Sequence, residues 1–272
     1  MEYNHNQPKY LIFIKLMIFI NIFMFAASLV LSGKNLQLSI NPFTALSPSI
    51  DALISLGATG KIAISRYVSN LGGTSVAHSA ADYWSAITLV CANWLHGSLL
   101  HIVFNMIALF QIGSLISAIY GFNRMFIIYT LSGIAGFYLS LLADVAVTIG
   151  ASAAICGLLG AGFYFGRSQK GSLTGKSVSK MASGWIFSLV IFGLAIPNIN
   201  NWGHGGGFAA GILLGRLLGY NKIERSSAQD GYQMVEYIKN REESSFNTLL
   251  SSILMVITIF CLILSFVLLF LF

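Results

Sequence analysis

The chain encodes an all-α, polytopic transmembrane bundle of about seven helices, and three observations lead there. Of its 272 residues 56% are hydrophobic and only 9% are charged, whereas about a quarter of an average soluble domain is charged. Seven apolar runs are long enough, or nearly so, to cross about 30 Å of hydrocarbon, which takes roughly 20 helical residues. Lysine and arginine gather in the loops of one side.

The first run, Leu11 to Leu31, ends in the small residues of a signal peptide (AASLVLSG). Its apolar core is longer than a signal needs, so an uncleaved span is expected. Ser32 to about Asn93 is rich in Gly, Ser, Asn and Ala. At about 60 residues it is too long for a featureless loop, and its mild hydrophobicity places interfacial helices on or in the outer leaflet. Spans two to four are Leu95 to Tyr120, Met125 to Leu142 and Val145 to Phe165; five and six are Met181 to Pro197 and Trp202 to Tyr220. Pro197, with asparagines at 198, 200 and 201, makes a turn between the last two. The polar link Asn221 to Asn247 contains YQMVEYIKNREE, expected as a short amphipathic helix. Leu249 to Phe272 forms the seventh span. The expected organisation is a six-helix core over 1–220, a linker over 221–247 and an added helix over 248–272.

With the N-terminus inside, 12 of the 15 Lys and Arg residues face the cytoplasm, and only Lys34, Lys61 and Arg66 lie outside. The positive-inside rule therefore sets the N-terminus in and, after seven spans, the C-terminus out. This bias and anionic inner-leaflet lipid account for the net charge of +6, and no nucleic-acid partner is called for. Cys91, Cys156 and Cys261 lack metal-type spacing and are expected as buried free thiols.

Polar residues inside the spans carry the chemistry. Ionisable side chains there are costly to bury and mark function by default. A serine is weaker evidence, since it commonly bonds back to a carbonyl one turn earlier. Ser152 lies in GASAAICGLLG and His204 in NWGHGGGFAAG, and both runs enter the membrane from the outer side. Ala153, Gly157 and Ala161 recur every four residues on span four, and Gly203, Gly207, Gly211 and Gly215 do so on span six. Such stripes let helix backbones approach closely, which would bring Ser152 within hydrogen-bond reach of His204. A serine hydroxyl needs an adjacent base to act as a nucleophile, and histidine can take and return its proton. His101 and Asn105, four apart on span two, share a helix face and can donate to an oxyanion; the Ser152 N–H at a helix start can add to them.

These residues resemble a rhomboid intramembrane serine protease. The likeness runs through HGSLLHIVFNMIALFQIG, GASAAICGLLGA and GHGGGFAAG, in the family's order, over most of Leu95 to Gly219. It implies a six-helix core, here with a seventh helix, in which Ser152 is the nucleophile and His204 the general base and acid. His101, Asn105 and Gly150 are the implied oxyanion and substrate-binding set, in a dyad that uses no carboxylate, cofactor or metal. Ala153 stands where the family usually has glycine, and its methyl either crowds the pocket floor or is tolerated. Gly203 replaces the usual alanine before the histidine, Ser117 replaces a frequent acidic residue, and the Trp-Arg pair of the first loop has no clear equal after Trp84.

The expected activity is endoproteolysis of membrane-protein substrates, within the lipid bilayer and near its outer face. The expected location is the bacterial inner membrane. A rhomboid-like pseudoprotease that binds or escorts membrane proteins is the alternative, although such members commonly lose the serine or histidine. Among other classes, a transporter lacks visible paired halves. A zinc protease lacks HExxH, and His96 and His101, five apart, lie about 140 degrees from one helical face. An aspartyl protease needs two membrane carboxylates, and only Asp144 lies near a span.

Overall fold

The computed structural model describes residues 7–41, 43–70, 75–196, 199–227, 234–239 and 244–269. Helix α1 (Gln7–Ser32) precedes three shorter helices, α2 (Ile50–Ser55), α3 (Lys61–Asn70) and α4 (Ser75–Cys91). A continuous helical rod follows: α5 (Leu99–Ala108), a π-helical turn (Leu109–Gly113) and α6 (Ser114–Tyr120). The bundle is completed by α7 (Phe122–Leu142), α8 (Ser152–Ser168), α9 (Leu173–Ala195), α10 (Asn201–Leu218) and α11 (Ser245–Leu269). A strand pair, β1 (Lys222–Ser227) and β2 (Met234–Lys239), precedes α11. This is a helical polytopic membrane fold. Five helical segments, Tyr10–Asn35, Leu99–Tyr120, Phe122–Leu142, Leu173–Ala195 and Ser245–Leu268, are long and apolar enough to span a membrane on those grounds alone.

The other two expected spans are the short ones, α8 and α10, and they form the centre. Helix α8 packs against α7, α9 and α10, while α10 also packs against α7. Their small-residue stripes meet rung by rung. A methyl group added to Gly207 would lie 2.1 Å from the Ala153 carbonyl oxygen, one on Gly211 would lie 1.9 Å from that of Gly157, and one on Gly215 would lie 2.9 Å from Ala161 Cα. Backbone thus touches backbone, an approach that glycine permits and a larger residue prevents. Large side chains fill the rest of the core, including Tyr120, Tyr129, Phe137 and Phe165.

Side-chain caps start the helices where the sequence offers them. Ser98 Oγ accepts from His101 N–H at 3.3 Å, Ser172 Oγ from Gly175 N–H at 2.8 Å, and Asn200 Oδ1 from Gly203 N–H at 2.9 Å. The cap at Ser172 lets α9 begin eight residues before the expected Met181. Lys176 and Lys180 thereby fall within the helix, where their long stems can reach its polar end. The interhelical turn ahead of α10 includes Pro197 and Asn198, which lie outside the described residues.

Two expectations are corrected. Span four begins at Ser152 rather than Val145. Residues 145–151 are non-helical instead: Thr59 and Thr148 form an isolated bridge by exchanging backbone hydrogen bonds (3.2 and 2.7 Å), and Gly150 adopts φ +122°. The amphipathic helix expected around Tyr232 is replaced over Met234–Lys239 by a strand antiparallel to β1; Tyr232, Gln233 and 240–243 lie outside the described residues. The pairing sets Ile223 opposite Ile238, both packed on the core. Cross-strand pairs of this kind outweigh the weak propensity of a short isolated helix.

Candidate active site

Seventeen residues of α8 rise only about 26 Å, less than the roughly 30 Å of hydrocarbon. With its Arg167 end set at one membrane surface, its Ser152 end would stop short of the other. Ser152 occupies the first position of this helix, and His204 lies in the first turn of α10. Their side chains meet: His204 Nε2 is 2.8 Å from Ser152 Oγ. Both residues are partly exposed. For Nε2 to accept the serine proton, the neutral ring carries its hydrogen on Nδ1, a buried atom with no hydrogen-bond partner among the described residues.

His101 faces the same space. Its Nδ1 accepts from the Gly97 N–H at 3.3 Å, which assigns the ring proton to Nε2. A methyl group added to Gly150 would lie 2.7 Å from His101 Nε2 and 3.7 Å from Ser152 Oγ. The bare Cα of Gly150 therefore leaves a space between the two side chains about the size of one oxygen atom. The Gly150 N–H points away and donates to the Ala92 carbonyl at 2.8 Å. Asn105 is less directly placed: its Nδ2 donates to the His101 carbonyl at 2.8 Å, tying the two residues together on their helix.

The Ala153 methyl does not line this space. It is buried with Ala92 and Phe137, against Gly136 of α7. His96 also departs from expectation. It precedes α5 rather than lying on it, so the helical angle does not apply, and its ring meets that of His101 edge-on at 5.0 Å.

Several supporting residues were not singled out from sequence. The segment leading to Ser152 is held by the first loop: Lys61 N–H donates to Val145 O at 3.0 Å, Ile62 N–H donates to Ala146 O at 2.9 Å, and the exposed Lys61 and Asp144 side chains pair at 2.8 Å. Asn200 bonds both Ser140 and Thr148. An asparagine just before a helical run is a cap signal, so half of its role was available from sequence. Away from this end, a cavity of about 450 Å³ is lined by Ser168, Gln169, Gly171, Ser172 and Ile223 and includes none of these residues.

A family model described as Rhomboid domain matches residues 80–221. Among curated relatives, RHOMBOID-like protein 5 of Arabidopsis thaliana is 30% identical over 70% of this chain and 58% of its own length. RHOMBOID-like protein 4 of the same plant is 36% identical over 48% of this chain and 33% of its own. Rhomboid protease GluP of Bacillus subtilis (strain 168) is 32% identical over 52% of this chain and 27% of its own. The match thus spans 58% or less of each of these proteins. It includes the segments that carry Ser152, His204, His101 and Asn105, and the chain belongs to the rhomboid family.

Proposed function

We propose that the chain is an intramembrane serine endopeptidase that cuts transmembrane helices of membrane-protein substrates. The observation that carries this reading is the 2.8 Å contact between Ser152 Oγ and His204 Nε2 at a partly exposed end of the bundle. A relative named as a rhomboid protease supports it.

Ser152 Oγ attacks the scissile carbonyl as its proton passes to His204 Nε2. The carbonyl oxygen becomes an oxyanion in the space left by Gly150, where His101 Nε2–H donates to it. The Ser152 N–H, which has no carbonyl one turn back in its helix, is a second donor, and the remaining Asn105 amide hydrogen a third. Collapse of the tetrahedral intermediate breaks the C–N bond, and His204 returns the proton to the leaving amine. Water entering from the exposed end then hydrolyses the ester, with His204 again as base. A substrate helix hides its peptide bonds, so it must unwind locally to reach Ser152. We place this end at the outer face, with the N-terminus inside, on the distribution of Lys and Arg, and take the membrane as a bacterial inner one from the family resemblance.

Fluorophosphonate labelling of the solubilised protein tests the reading. Wild type is expected to label, and Ser152→Ala and His204→Ala to lose labelling while remaining folded. A folded wild type that does not label would instead support a non-catalytic escort of membrane proteins.

A further inference from the structure

Ser152 and His204 stand on different helices, and no carboxylate steadies the imidazole, whose Nδ1 is unpartnered among the described residues. The glycine stripes bring α8 and α10 together, but close backbone packing alone leaves small rotations and slides of α10 unspecified. A general base cannot tolerate them, since a misplacement of about 1 Å can cost about 10²-fold in rate. Some polar tie must therefore set the start of α10 against the segment that delivers Ser152.

We propose that Asn200 is the positioning residue that supplies this tie, an inference that rests on the Ser152–His204 reading above. Its amide is fully used. Oδ1 accepts from Gly203 N–H at 2.9 Å, and Nδ2 donates to Ser140 Oγ and to Thr148 Oγ1, each at 2.7 Å. Its backbone carbonyl accepts from the N–H of His204 itself at 3.1 Å. The two hydroxyl partners are anchored in turn. Ser140 is fully buried on α7 and donates to the Gly136 carbonyl at 2.9 Å, while Thr148, 4% exposed and four residues before Ser152, is paired with Thr59 through both backbone groups. One side chain thus fixes the base helix to the nucleophile segment and to a third helix. Both hydroxyl partners are buried while Asn200 is half-buried, and low local dielectric around the hydroxyls strengthens such bonds.

Substitutions separate capping from bridging. Serine at 200 retains a helix cap but is too short to reach both hydroxyls. Aspartate retains the cap and offers an acceptor to the Thr148 hydroxyl, and alanine loses both functions. The full chain and its Asn200→Ser, Asn200→Asp, Asn200→Ala and Ser152→Ala variants would be compared by three measurements. These are fluorophosphonate labelling rate against probe concentration, thermal unfolding, and the ¹⁵N resonances of labelled histidine.

Asn200→Ser is expected to unfold close to wild type. Its saturating labelling rate should fall about tenfold or more, with the half-saturating probe concentration unchanged. Asn200→Asp should recover part of that rate, and the His204 Nε2 resonance in Asn200→Ser should move toward its position in Ser152→Ala. The proposal is overturned if Asn200→Ser labels at the wild-type rate. It is equally overturned if labelling falls only in proportion to lost thermal stability while the resonance stays in place. Should wild type not label, yet Asn200→Ser and Ser152→Ala shift the His204 resonance alike, the hydrolase reading fails and the positioning role stands. If neither shifts it, both fail.

Discussion

Gly150 meets two demands that a side chain would violate together. Its φ of +122° is strained for any other residue, and an added methyl would enter the space before His101 Nε2. Gly150→Ala is therefore expected to lower the fluorophosphonate labelling rate by about 10²-fold or more, the range seen for removal of one oxyanion donor. His101→Ala should lose a similar factor. Since the methyl at 150 would block the donor that His101→Ala removes, the double variant should be little worse than the more impaired single one; fully multiplicative losses would show that they act separately. Ala153 teaches the converse lesson. The motif alone left open whether its methyl crowds the pocket, and only the neighbours of α8 answer, by packing it on Ala92 and Phe137. Sequence spacing brought Ser152, His204 and His101 forward as candidates, but it could not say which way each side chain points.

Helix by helix, the stripes on α8 and α10 were readable because four-residue recurrence is local, and they meet as that spacing implies. Gly211→Val should push the helices apart and destabilise by about 1–3 kcal/mol or more through overpacking, with loss of labelling. Gly184→Ala, on an open face of α9 with nothing within 4 Å of an added methyl, should unfold as wild type does. Thermal unfolding in detergent distinguishes the two. A second element-scale feature was hidden. Arg124, counted from sequence as one of the inside charges, is 1% exposed, and its guanidinium donates to Gly219 O at 3.1 Å and Asn221 Oδ1 at 2.7 Å, clamping the end of α10. Arg124→Leu is expected to cost about 1–3 kcal/mol for each buried acceptor it leaves unsatisfied. Arg124→Lys should not restore the stability, because an ammonium lacks the planar fork; its recovery to wild type would refute the clamp. The strand pair before α11 was misread for the same reason: the identity of a strand's partner lies outside its own residues.

For the molecule as a whole, the proposed orientation makes a topological prediction. Cysteine introduced at Lys34 should react with a membrane-impermeant maleimide in intact cells, and cysteine at Lys170 only after the membrane is opened. The reverse pattern would invert the bundle and move the Ser152 end to the inner face. Hydrophobic composition, run lengths and the Lys/Arg asymmetry were enough to read a polytopic helical bundle from the chain, because the bilayer acts on each segment separately. The three polar motifs were likewise readable, each within one run. Assembly alone revealed that Ser152 begins its helix after a non-helical segment and that the first loop braces that segment through Thr59 and Lys61. It also showed that Asn200 ties the start of α10 to Ser140 and to Thr148. These are pairings between residues roughly 50 to 90 positions apart, and no local pattern encodes them, since their geometry follows from how the helices pack.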